Sequence, residues 1–363
     1  MKRTAATLLA AAATATAASQ GLPLGERSAA LRDWIATAET QLSQGRAVEA
    51  AQGFDRAANS EHAADIEAGL VRSYLQNGEF RRALAFASHT AGAHRDKSVG
   101  TALYAWLLHM SGQREFGQRL LQQARERLPQ DALLAEVESQ LGSSAPQVTR
   151  TMLAAPARLA PYPAGESVPG AARLVASGVL VDDGRRAVVP AWAMEGVQQV
   201  WLRNGSGRTW PARLQQRLGS LPLVLVTLQG AAEDAPALKA VARDAFPGSP
   251  GYAVAYTGHD EASPAWPWLR PGFLGNLDAA SGQRRLGIEL PSNALPGGPV
   301  FDTAGRLVGL SSAGGGLLPV SALQAELPGL FAAAPAEGPA ARVPTDELYE
   351  RAMKATLQVI VLR

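Results

Sequence analysis

Between residues 28 and 141 apolar positions recur every three or four residues, and no stretch alternates as a half-buried strand would. Gly45, Gly78 and Gly112 punctuate this region at intervals of 33 and 34 residues, each ending one amphipathic helix and opening the next. Residues 142–170 break the pattern: Pro146, Pro156, Pro161, Pro163 and Pro169 predict an extended linker, with one short strand near Thr149–Leu153. From residue 171 short β-branched runs alternate with turns, which predicts an all-β sandwich or barrel over 171–331. The predicted strands are Leu174–Val181, Ala187–Val189, Val197–Arg203, Leu223–Leu228, Tyr252–Tyr256, Phe273–Leu277 and Gly287–Leu290, followed by a hairpin around Val300–Leu310. A second Ala/Pro linker, 332–344, leads to a helix at Thr345–Met353 and a strand at Thr356–Leu362, the C-terminal unit being 345–363. Thr345 is placed as the helix cap, with acids in the first turn. The chain is therefore predicted to be multidomain, α-helical first and all-β second.

Superposing the three glycines brings further positions into line. Trp34 falls with Thr101, Leu70 with Tyr104, and Ala57 with Ala124; Ala50, Ala83 and Gly117 share one small-residue site, and Pro129 follows the third unit. Small residues let two helices cross closely, and the aromatics Trp34, Phe54, Tyr74 and Phe80 fill the remaining space. This period and pattern resemble tetratricopeptide (TPR) repeats. The resemblance implies a concave groove for a protein or peptide, which Arg72, Arg81, Arg82, Arg114 and Arg119 are placed to line, although solvated helix faces account for them equally. None of His62, His89, His94 and His109 has metal-ligand spacing with a second ligand, and His89–His94 in particular is not the spacing of a zinc pair.

Composition narrows the setting. Residues 1–18 have the charged start (Lys2, Arg3), apolar run (Ala5–Ala15) and small-x-small site (Ala15-Thr16-Ala17) of a secretory signal peptide. Without Lys2 and Arg3 the 34 basic residues fall to 32, equal to the 32 acidic ones, so no basic surplus points to nucleic acid. There is no cysteine, which excludes disulfides and thiolate metal sites. No cofactor motif or metal motif is evident, and no further run has the roughly 18 apolar residues of a membrane helix. An exported protein, periplasmic or extracellular, is the expectation.

The stretch Asn293-Ala294-Leu295-Pro296-Gly297-Gly298-Pro299, then Val300-Phe301, an Asp302-Thr303-Ala304-Gly305 turn and Arg306–Leu310, reads as a hairpin reached through a loop of close backbone approach. It resembles the segment around the nucleophile of trypsin-like serine proteases of the bacterial HtrA/Deg type. Ala176-Ser177-Gly178-Val179-Leu180-Val181-Asp182-Asp183-Gly184 is similar to the opening hairpin of that family, and Leu317–Leu323 to its late strand and closing helix. The resemblance implies a double β-barrel over roughly 171–330. It also implies where the catalytic triad would stand. The histidine position is Trp192, the aspartate position Pro222, and the serine position Pro296.

Acyl transfer needs a nucleophile, a base, an orienting carboxylate and backbone donors for the oxyanion. An indole is not a base, and Pro296 removes both a hydroxyl and an N–H. These residues imply no catalytic site, and a pseudoprotease acting as a protein-binding scaffold or adaptor in the bacterial envelope. A second reading is a serine hydrolase rebuilt around Ser292 and His259. A third is a self-assembling subunit that pairs strand Thr356–Leu362 between molecules; the simpler expectation for the same strand is that it returns to complete its own barrel.

Overall fold

The computed structural model describes residues 27–258, 261–278, 284–333 and 341–363. The leader, residues 1–18, and His259 lie outside the described residues. The helical region forms α1 (Ala29–Ser43), α2 (Ala47–Ser60), α3 (Ala64–Gln76), α4 (Phe80–Ala93), α5 (Ser98–Met110), α6 (Arg114–Arg127) and α7 (Ala132–Gly142). Each packs on the next, and α1, α3, α5 and α7 also pack on one another in sequence, as stacked helical hairpins do. The small-residue positions work as the sequence predicts: Ala50, Ala57, Ala83 and Ala124 are buried, and a Cβ on Gly117 would lie 2.8 Å from the Ala105 carbonyl oxygen.

The three spaced glycines close three identical turns. Gly45, Gly78 and Gly112 have φ of +77°, +76° and +88°, the left-handed region that favours glycine. The residue after each donates its N–H to a carbonyl five residues back, Arg46 to Gln41, Glu79 to Tyr74 and Gln113 to Leu108. These are Schellman caps, repeated once per unit.

The β region comprises β1 (Ala164–Gly165), β2 (Arg173–Val181), β3 (Arg186–Pro190), β4 (Gln199–Asn204), β5 (Arg208–Arg217), β6 (Leu223–Leu228), β7 (Lys239–Ala240), β8 (Pro250–Ala255), β9 (Trp268–Phe273), β10 (Arg284–Arg285), β11 (Pro299–Asp302), β12 (Leu307–Ser312) and β13 (Gly316–Pro319). Helix α8 (Val320–Glu326), β14 (Ala332–Ala333), α9 (Thr345–Ala355) and β15 (Thr356–Leu362) complete the chain. Strands β5–β4–β15–β2–β3–β6 are hydrogen-bonded in that order, and β6 pairs back to β5, closing a six-stranded barrel. The second sheet runs β10–β13–β12–β11–β8–β9 as a half-barrel. A bridge from Leu277 to Arg284 and the bonds Arg285 N to Asn276 O and Gly275 N to Leu286 O draw its ends together.

Several expectations change. Strand β15 has both edges occupied, by β2 and by β4, so it completes its own barrel and is not free to pair between molecules. The barrel thus takes a strand from beyond residues 171–331. The strand predicted at Phe273–Leu277 lies earlier, at Trp268–Phe273, sharing one residue with the expectation, and Gly287–Leu290 is not a strand. Thr149–Leu153 holds a 3-10 turn rather than a strand. Nor is the linker a loose tether. Met152, Leu159 and Ala160 are buried, and the Arg158 guanidinium donates to the carbonyls of Leu153, Ala160 and Pro161. Those bonds satisfy backbone acceptors that a proline-rich strap cannot pair in a sheet.

Buried apolar residues of the helices and of the second sheet form one continuous cluster, from Leu31 and Phe54 through Trp106, Trp268 and Leu269 to Val300 and Leu310. Trp106 meets Trp268 edge to face at 5.6 Å, and Phe80 of α4 meets Tyr349 of α9 at 4.4 Å. The three cap glycines lie along this joint. A Cβ on Gly45 would stand 2.8 Å from Ala164, one on Gly78 2.6 Å from Lys354, and one on Gly112 2.7 Å from Leu269.

Gly112→Ala is expected to cost more than Gly196→Ala. Both glycines have positive φ, but only at Gly112 does a neighbour occupy the Cβ position; nothing lies within 4 Å of Gly196. Chemical denaturation is expected to show about 1–2 kcal/mol lost at Gly196, the conformational term, and a larger loss at Gly112. Equal losses would mean the joint is not closely packed.

Candidate functional site

The residues singled out from the sequence stand where the two β units meet. Strand β3 ends at Pro190 and runs into a 3-10 turn, Ala191–Met194, that carries Trp192. Pro222 precedes β6, and its carbonyl accepts the Ala191 N–H at 2.9 Å. Pro296 precedes β11, and its carbonyl accepts the Ser177 N–H at 2.9 Å. Gly297, with φ +100°, presses on this junction: a Cβ there would lie 2.2 Å from the Ser177 oxygen and 2.8 Å from the Pro190 ring. A Cβ on Gly298 would lie 2.0 Å from the Val254 oxygen. The close approach predicted for the Gly-Gly pair is thus directed at backbone of β2 and β8. Trp192 is not packed away between these segments, since 40% of it is exposed.

Three of the loop's backbone donors are already in use. Ala294 donates to Pro291 O at 2.9 Å, Leu295 to Tyr256 O at 2.8 Å and Gly297 to Ser311 O at 2.8 Å, while Pro296 has no N–H to give. An oxyanion needs convergent donors that are free to reach it. Ser177 is spent as well: its Oγ accepts from Tyr256 N at 2.9 Å.

Ser292 does not reach this junction. Its N–H and its Oγ both bond to Ser144 O, at 2.8 and 3.1 Å, fixing the start of the loop to the end of the helical array. Between array and second sheet lies a groove of about 730 Å³, lined among others by Arg114, Phe116, Arg119, Arg270, Glu289 and Ser292. Arg270 donates to His109 O at 3.1 Å, and burial, with Arg114 nearby, lowers its guanidinium to about 10. Burial and the same two arginines lower His109 to about 3, so its imidazole is neutral at ordinary pH.

The face on which the repeat would present a concave groove is largely covered by the chain itself. Helix α3 is buried from Ala64 to Gln76 except at Asp65, and α5 from Gly100 to Met110 except at Tyr104. The Gln76 amide donates to Tyr162 O and Ser206 O and accepts from Tyr162 N. Of the expected groove arginines, Arg72 is buried and bonded to Glu39 (3.0 Å), Arg81 pairs with Glu350 of α9 (3.4 Å), and Arg82 pairs with Glu79 and stacks on Tyr74. Arg114 and Arg119 alone of the five line the 730 Å³ groove.

Three histidines stand closer together than their places in the sequence suggest. Spacing within one helix misleads here, because His62 and His94 are 32 residues apart, close to one repeat, and stacking sets them side by side. Glu67, which no sequence pattern singles out, has one carboxylate oxygen against each of them.

Among the described residues no helix is long and apolar enough to cross a membrane. No protein-family model matches the chain, and no curated protein is significantly similar to it in sequence. Solved structures similar to it include the MamO protease domain from Magnetospirillum magneticum in its apo form, at 17% identity and a TM-score of 0.30, covering 45% of this chain and 92% of that one. Deg5 is 15% identical with a TM-score of 0.33, covering 44% of this chain and 88% of its own. The serine endoprotease from Yersinia pestis is 15% identical with a TM-score of 0.35, covering 44% and 66%.

His109 sets a pH dependence whose sign is fixed. Its folded value, about 3, is below the usual 6.5, so the unfolded chain takes up a proton first. Stability is expected to fall as pH drops from 6.5 toward 3, by up to about 1.4 kcal/mol per pH unit from this group. Denaturation of wild type and His109→Gln at pH 7 and pH 4.5 checks it: the variant is expected to lose less on acidification.

Proposed function

We propose that this chain is an exported, non-catalytic pseudoprotease, in which a TPR-like array and a trypsin-like β unit together bind a protein partner as a scaffold or adaptor in the bacterial envelope. The observation that carries the non-catalytic reading is the loop Asn293–Gly298. Its N–H groups at 294, 295 and 297 are bonded within the protein, and residue 296 is a proline. With tryptophan at 192 and proline at 222, no base or carboxylate stands at the positions the family motif assigns to them. Residues unable to act as nucleophile, base or carboxylate at all three positions, on a folded β framework, support a framework kept for its surface.

The surface that best fits a partner is the groove between α6, the end of α7 and β9. Phe116 is 47% exposed there, and Arg114 and Arg119 flank it, Arg119 lying 3.9 Å from Glu115, so that Arg114 and Arg270 outweigh Glu289 in the rest of the groove. Such a surface suits an acidic segment with an apolar side chain, the ring and the guanidinium groups being the usual anchors of an interface. Export rests on the composition of residues 1–18. Ser292 supports a hydrolase poorly, because its hydroxyl donates to a backbone carbonyl.

The test is reaction of the purified mature protein with a fluorophosphonate probe, beside an active serine protease and a Ser292→Ala variant. No labelling is expected. Labelling that disappears with Ser292→Ala would overturn the proposal and establish a rebuilt hydrolase.

A further inference from the structure

At the open end of the first two helical hairpins, four side chains from three elements point at one place. His62 comes from the α2–α3 connection, Glu67 from the first turn of α3, His89 from the last part of α4, and His94 is the residue that caps α4. One Glu67 carboxylate oxygen is 2.5 Å from His62 Nε2 and 3.8 Å from His89 Nε2; the other is 3.4 Å from His94 Nε2. His62 Nε2 and His89 Nε2 are 3.4 Å apart. The potential ligand atoms of His62, Glu67 and His94 all lie within 4.8 Å of one another.

We propose that His62, Glu67, His94 and His89 form a binding site for a divalent transition-metal ion, zinc being the best match. Three imidazole nitrogens and one carboxylate oxygen suit zinc, and with no cysteine in the chain nothing softer competes. Zinc bonds of roughly 2.0–2.1 Å at tetrahedral angles set neighbouring ligand atoms about 3.3–3.4 Å apart. Two of the separations here are 3.4 Å; binding an ion requires His62 and Glu67, at 2.5 Å, to move apart and His89 to move in toward the other three.

A plain ion pair accounts for the cluster less well. The carboxylate of Glu67 is 2% exposed, yet one of its oxygens has no hydrogen-bond partner, and the facing His94 Nε2, also buried, has none either. The two atoms face each other at 3.4 Å without making a hydrogen bond, and one cation between them would satisfy both. The surroundings also hold the ligands in place. Arg27 binds Glu61 and Asp65, each at 2.7 Å, on either side of His62 and just before Glu67. That arrangement engages both flanking acids with one guanidinium, leaving Glu67 as the carboxylate directed at the three rings. His62 and His89 are about half exposed, 47% and 55%, which gives an ion a route in from solvent. The ion would clip the α2–α3 connection to the end of α4, joining consecutive repeats.

Protein stripped with a chelator is titrated with Zn²⁺ against a chromophoric competitor, and separately with Co²⁺ while the visible spectrum is recorded. One ion per chain, with intense absorption of the tetrahedral Co²⁺ kind, is expected. Glu67→Gln and His94→Ala, each with an unchanged far-ultraviolet helical signal, are expected to weaken Zn²⁺ binding at least 100-fold. Wild-type protein that fails to compete for Zn²⁺ at micromolar concentration would overturn the site. So would folded variants that bind as wild type does.

Discussion

The barrel exists because the last strand of the chain returns to it. Strand β15 lies between β2 and β4, with six registered pairs on the β4 side from Leu357–Asn204 to Leu362–Gln199. Leu357, Val359 and Val361 point into the barrel core and Ile360 to its outer cluster. Burying side chains of this size is worth roughly 1.5–3 kcal/mol each, so the four together rival the roughly 5–15 kcal/mol that holds a typical domain. Without β15, β2 and β4 would both present unpaired edges.

That return also ties the helices to the sheets. Helix α9 immediately precedes β15 and carries Tyr349, which is fully buried between Phe80 of α4 and the Pro267 carbonyl it donates to at 2.7 Å. Its Glu350 reaches Arg81. With the cap glycines admitting Ala164, Lys354 and Leu269 at successive turns, the array is packed against the β region along its length. Face α3–α5 is therefore interior, and surface for a partner is found at the edge of the joint rather than along a free concave groove.

Much of this was legible in the sequence where local chemistry and burial agree. The period of Gly45, Gly78 and Gly112 marks turns that require left-handed backbone, and Leu223–Leu228 is apolar enough to be read without context. The hairpin of β11 and β12 follows from its Asp302–Gly305 turn, in which Asp302 accepts the N–H groups of Ala304 and Arg306. Strand β5, Arg208–Arg217, was not legible. Its second half is solvent-exposed and polar, and pairing with β4 and β6 rather than side-chain pattern makes it a strand. The histidine cluster was hidden for a different reason: its members are separated by a repeat, and only stacking of the hairpins brings Glu67 to them.

Native-state hydrogen exchange along β15 tests the central claim most directly. If this strand closes the barrel and fastens it to the helices, the amides of Leu357–Val361 exchange only with global unfolding, at the same free energy as those of α3 and α5. Exchange of β15 at lower free energy, while β2, β4 and α5 stay protected, would show that the barrel and its joint to the array stand without it.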